Sequence, residues 1–159
     1  MYRYEDIKTI HLEVTQNCQA ACSMCDRNMN GEGINPHINL DELRLKDCKD
    51  IFTASFIKQL DTMYMCGNLG DPIVAKDTLE IFKYFREHNP NMWLSMNTNA
   101  GAKNEQWWKE LAQVFGKMGA VIFSVDGLRD TNHIYRQGVV WENVERNMKA
   151  FINAGGRAR

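Results

Sequence analysis

The chain has 159 residues, of which 44% are hydrophobic and 25% charged, with a formal net charge of -1. That is the balance of one ordinary globular domain, or part of a larger one, able to bury about two-thirds of its unfolded surface. The near-neutral charge argues against a surface that coats nucleic acid. No apolar run is long enough to span a membrane, and the opening Met1-Tyr2-Arg3-Tyr4-Glu5-Asp6 does not read as a signal peptide. Five cysteines without a secretory signal suit a reducing cytoplasm rather than a disulfide framework.

In chain order, residues 10–14 read as a short strand, followed by the loop Thr15-Gln16-Asn17-Cys18-Gln19-Ala20-Ala21-Cys22-Ser23-Met24-Cys25-Asp26. Residues 31–36 read as a turn region. Asn39 with Glu42 three positions later predicts a capping box, opening a helix to about Leu60 with Leu43, Ile51 and Phe52 among its apolar positions. Residues 62–66 predict a second strand. Residues 76–88 predict a second helix with Leu79, Phe82 and Phe85 inward, stopped by Asn89-Pro90. A third strand is expected at 92–96. A third helix at 104–118 would carry Trp107, Leu111, Val114, Phe115 and Met118 on one stripe and close at Gly119. Residues 120–125 predict a fourth strand, apolar on both faces. Trp141, Val144, Met148, Phe151 and Ile152 mark the inner stripe of a fourth helix ended by Gly155-Gly156. Strands alternating with helices imply an α/β fold with parallel pairing and right-handed crossovers. All strand C-termini then share one edge, where such proteins place their chemistry.

Four polar clusters fall at that edge. The cysteine loop follows the first strand, and Cys66-Gly67-Asn68-Leu69-Gly70-Asp71-Pro72 follows the second. Asn97-Thr98-Asn99-Ala100 follows the third, and Ser124-Val125-Asp126-Gly127 ends the fourth. Cys18, Cys22 and Cys25 form a CxxxCxxC triplet. Three thiolates on a short loop can hold three irons of a 4Fe–4S cluster and leave the fourth open. A zinc site is the rival reading; it needs four tetrahedral ligands, and only His37 is near enough in sequence to complete the set. Cys48 and Cys66 read as buried apolar thiols, and Trp107-Trp108 as core plus rim.

The triplet and the strand before it resemble the radical S-adenosylmethionine (radical SAM) superfamily, in which the open iron chelates the methionine end of the cofactor. The resemblance covers nearly all of residues 1–159. Leu69-Gly70-Asp71-Pro72 looks like that family's Gly-Gly-Glu-Pro turn, which binds the cofactor amino group, with Gly67 just before it. Thr98-Asn99 and Ser124-Val125-Asp126-Gly127 look like its third- and fourth-strand motifs. His133 and Arg136 resemble a pattern of members with a SPASM or twitch extension, which implies cofactor-carboxylate contacts for Ser124 and Arg136. Asn99 and Asp126 would reach the ribose or carboxylate. Met24 stands where the family places an aromatic residue near adenine. Leu69 and Asp71 depart from the family's glycine and glutamate, which leaves the turn a backbone role.

The resemblance implies about four βα units of a partial TIM barrel, the N-terminal portion of the radical SAM core, with the C-terminal units absent. It implies a 4Fe–4S cluster and S-adenosylmethionine as cofactors and a flavodoxin- or ferredoxin-type reductant. The implied reaction is reductive cleavage of the cofactor to a 5′-deoxyadenosyl radical that abstracts hydrogen from a substrate, with a tilt towards peptide or protein modification. A binding module that holds both cofactors without turnover is the alternative, besides zinc. The fourth strand is expected to leave an exposed apolar edge, which a homodimer or a complementing C-terminal half could cover.

Overall fold

The computed structural model describes residues 3–29 and 31–159. Four strands, β1 (Thr9–Leu12), β2 (Thr62–Met65), β3 (Trp93–Thr98) and β4 (Gly119–Phe123), form one parallel sheet in the order β1-β2-β3-β4. The twofold side-chain period sorts the two faces. Leu12, Met63, Met65, Leu94, Met96, Val121 and Phe123 are buried on the face the helices cover. His11, Tyr64, Trp93, Asn97 and Ile122 alternate onto the other face and stay partly or largely accessible. There the His11 and Tyr64 rings stack with centroids 4.6 Å apart.

The helix expected from Asn39 to about Leu60 is two short ones, α1 (Leu45–Ile51) and α2 (Ala54–Gln59). Leu40 sits at φ 60°, outside the helical region, so no helix starts at Asn39. The capping box falls later, where Asp47 accepts the Arg44 amide at 2.8 Å. Glu42 instead bridges to Thr15 and accepts the Lys76 amide. Phe52 closes the first helix, and Thr53 caps the second, accepting the Phe56 amide at 3.2 Å.

Helices α3 (Thr78–His88), α4 (Glu105–Phe115) and α6 (Trp141–Asn153) cover the sheet. Leu79, Phe82 and Phe85 are buried as their spacing predicts. In α4 the buried indole is Trp108, not Trp107, and Met118 is largely exposed. The helix stops earlier than expected, at Gly116 with φ 52°, and Gly119 belongs to β4. In α6, Val144 and Phe151 face inward with Asn147 and Ala150, whereas Ile152 is exposed. The core locks through aromatic edges. Phe82 meets Phe115 at 4.8 Å and 79°, and Phe115 meets Phe151 at 6.3 Å and 88°. Edge-to-face pairs of this kind add about 0.5–1.5 kcal/mol beyond their burial. Arg86 closes the open end of this layer by donating to the carbonyls of Val114, Pro90, Met92, Phe115 and Met118.

The edge of β4 is not bare. The Val121 amide donates to Arg157 at 3.0 Å, the Arg159 amide donates to Val121 at 2.9 Å, and Val121 and Ala158 form a parallel bridge. One short helix, α5 (Asn132–Tyr135), lies between β4 and α6 and had no apolar period to announce it.

Candidate cofactor site

The four strand C-termini meet at one end of the sheet, and the segments that follow them close around a cavity of about 260 Å³. Cys18, Cys22, Cys25, Gly67, Leu69, Gly70, Asp71, Asn99, Ser124 and Arg136 all line it. Three other residues singled out in the sequence lie elsewhere. Met24 is 83% exposed and does not line the cavity. Pro72 is buried at the start of a 3₁₀ turn, Pro72–Val74. Asp126 is exposed and ion-paired to Arg136. Cys66, expected to be a buried structural thiol, lines the cavity, as do Asn28 and Tyr135. Cys48 is fully buried, as expected.

Backbone contact builds the cavity wall. The Asp71 amide donates to the Asn17 carbonyl at 2.9 Å, tying the second-strand turn to the cysteine loop. A Cβ on Gly70 would overlap the Thr15 carbonyl oxygen, and one on Gly67 would overlap that of Gly70. These two glycines let three stretches of backbone approach where any side chain would hold them apart.

Asp71 is a brace rather than a free ligand. Its carboxylate accepts the Asn99 amide at 2.8 Å and the Ile73 amide at 3.1 Å, so it joins the ends of β2 and β3. It is 5% exposed, and burial raises its pKa against the pull of those hydrogen bonds. The side chain of Asn99 points the other way, with Nδ2 3.6 Å from Cys18 Sγ and Oδ1 accepting Gln19 Nε2 at 2.6 Å. Ala100 follows at φ 58°, a strained turn pinned by Asn147 of α6, which donates to the carbonyls of Ala100 and Ala102 at 2.8 and 2.9 Å.

The three thiols of the triplet are free; Cys18 and Cys22 meet donors, whereas the Cys25 thiol faces the Asn68 carbonyl oxygen at 4.0 Å. Cys18 Sγ accepts the Ala20 amide at 3.4 Å besides the Asn99 contact. Arg136 Nη1 stands 3.8 Å from Cys22 Sγ, while its Nε pairs with Asp126. Burial pushes Cys18 up to about 11, helped by the charge of Asp71 and opposed by the Ala20 amide and Arg27. Burial also raises Cys22, against Arg136. Among the described residues, no three cysteine, histidine or acidic side chains converge on one point where a single ion could sit. All three thiols instead line one cavity. The single-ion zinc reading has no convergent ligand set, and His37 lies outside the cavity lining. Next to the thiols, residues 66–71, Asn99, Ser124 and Arg136 line the same cavity and bring both hydrogen-bond donors and acceptors to it.

Comparison with known proteins agrees with this geometry. The sequence matches the radical SAM superfamily over residues 12–158. It is 28% identical over 109 residues to the FeMo cofactor biosynthesis protein NifB of Methanocaldococcus infernus, covering 66% of this chain and 35% of that protein. The chain therefore spans about a third of the length of this curated relative. The fold is similar to that of hexahistidine-tagged anSMEcpe with bound AdoMet (S-adenosylmethionine), with a TM-score of 0.73, 16% identity and coverage of 96% of this chain and 41% of that one. Native anSMEcpe with bound AdoMet and Cp18Cys peptide gives a TM-score of 0.64 and 19% identity, covering 96% of this chain and 42% of that one.

Proposed function

Because the chain belongs to the radical SAM superfamily, whose members use a 4Fe–4S cluster and S-adenosylmethionine, we propose that Cys18, Cys22 and Cys25 hold that cluster and that the adjoining cavity takes that cofactor. The observation that carries this reading is the placing of all three thiols and all four strand-end motifs around one cavity. Bound together, the two cofactors supply a one-electron reductive cleavage that yields methionine and a 5′-deoxyadenosyl radical able to abstract hydrogen from a substrate. The backbone of Gly67–Gly70 receives the cofactor's amino group through its carbonyls. Ser124 and Arg136 take its carboxylate, and Asn99 orients polar groups beside Cys18. Asp71 acts from behind, fixing the turn against the end of β3. Asp126 holds the Arg136 guanidinium in place. A flavodoxin- or ferredoxin-type protein delivers the electron. The substrate is a peptide or protein, a reading supported by the His133–Arg136 pattern and by the peptide held in one structural neighbour.

The test is anaerobic reconstitution with iron and sulfide, reduction with dithionite, addition of S-adenosylmethionine and chromatographic assay of 5′-deoxyadenosine. The unsubstituted protein is expected to make product and Cys22→Ala to make none. A cluster without product would leave a binding module, and absence of any cluster would sink the reading.

A further inference from the structure

Arg27 takes no part in the reading above. It lies two residues after Cys25 and is only 6% exposed. Its Nε donates to the Gln16 carbonyl at 3.0 Å and its Nη1 to Asn28 Oδ1 at 3.1 Å. Both partners are neutral. Among the described residues, no carboxylate lies within ion-pairing distance of it. Arg136, in the cavity lining, has Asp126, and Arg44 has Asp77. A guanidinium keeps its charge in proteins, and a buried charge without a counter-charge is strongly unfavourable.

What faces Arg27 is the cysteine loop. Its hydrogen bond to Gln16 reaches back to the start of that loop. Asn28, held by Arg27 Nη1, lines the cavity and donates its amide to the Cys25 carbonyl at 2.8 Å and its Nδ2 to the Cys22 carbonyl at 3.4 Å, fixing the backbone of the loop that carries the thiols. The guanidinium is thus hydrogen-bonded directly to a residue of the cavity lining.

We infer that Arg27 is the buried counter-charge of the cluster, a fixed cation that stabilises the anionic thiolate–iron–sulfide core and favours its reduced form. This rests on the proposed function, since it needs the triplet to hold the cluster. The sign follows from charge alone. One-electron reduction makes the core one unit more negative, and a cation nearby stabilises that state more than the oxidised one. Arg27 is a tuning residue, not a catalytic one.

The experiment compares the full chain with Arg27→Lys and Arg27→Gln, each reconstituted anaerobically, counted for iron and sulfide, and titrated potentiometrically by visible absorbance. At the unsubstituted protein's midpoint, Arg27→Gln is expected to show a reduced-to-oxidised ratio lower on the order of tenfold, a shift of about 59 mV to more negative potential. Arg27→Lys, which keeps the charge and loses the planar fork, is expected to stay near the original midpoint. Uptake of iron by the Lys variant but not the Gln variant would also support the charge role. The inference is overturned if fully loaded Arg27→Gln keeps the original midpoint. It is equally overturned if the Lys variant shifts as far as Gln, or if neither variant loads, because the hydrogen-bonded clasp would then be what matters. Failure of the proposed function is distinguishable: the unsubstituted protein itself would take up no cluster.

Discussion

A carboxylate that is almost fully buried, with no ion-pair partner among the described residues, is an unusual thing to find at a candidate binding site, and Asp71 is one. Its two backbone hydrogen bonds hold the ends of β2 and β3 together, while burial favours the protonated form. The linkage follows from that direction. With the folded value raised above 3.8, the contribution of this group is fully present below 3.8 and is lost as pH rises through the raised value. Asp71→Asn, which cannot ionise, should therefore lose less melting temperature than the original chain between about pH 4 and about pH 7. Parallel profiles in thermal scans of the iron-free proteins would show that burial does not hold this proton. Asp71→Ala leaves the Asn99 and Ile73 amides unpaired and should cost about 1–3 kcal/mol at neutral pH.

Between elements, the decisive joint is the turn after β3. Ala100 and Ala102 hand their carbonyls to Asn147, a fully buried amide on α6, across 45–47 residues of chain. Asn147→Leu fits the apolar surroundings but leaves two carbonyls unpaired. It should destabilise the fold by about 2–4 kcal/mol and loosen the Asn99 end of the cavity, read as a lower urea midpoint. A change under about 0.5 kcal/mol, the range of an ordinary surface substitution, would count against this role. The sequence hid Asn147, because a polar residue on an apolar stripe gives no periodic signal and its partners lie in another element. What the sequence did expose was the alternation of strands and helices, the cysteine spacing and the clustering of motifs at one edge. Local competition erased the rest. Thr53 caps a second helix inside the span predicted as one, and Gly116 ends α4 before Met118. The choice of Trp108 over Trp107 turned on a neighbour, Phe123, that only the folded sheet brings within 5.8 Å. Cys66 reads like any apolar thiol until the cavity forms around it.

At the level of the whole molecule, the exposed edge expected beside β4 is partly taken up by residues 157–159. An apolar groove of about 320 Å³ remains beside it, lined by Phe123, Val125, Trp141, Met148 and Ile152. We propose that a second copy of this chain covers this groove. Light scattering should then show mass rising with protein concentration, and Ile152→Glu should restore the monomer. A monomer at high concentration would argue against it. The helix-covered sheet and the cysteine loop are held by different means. Between Leu12 and Leu45 the described residues make only isolated bridges and turns, with links such as Asn17 to Leu40, Arg27 to Gln16 and Asn35 to Asp26. Most of its described residues are half-buried or exposed, so this stretch should open at a free energy well below that of global unfolding. A donor delivering preassembled iron and sulfide would need to part only that flap, with the scaffold beneath it still intact.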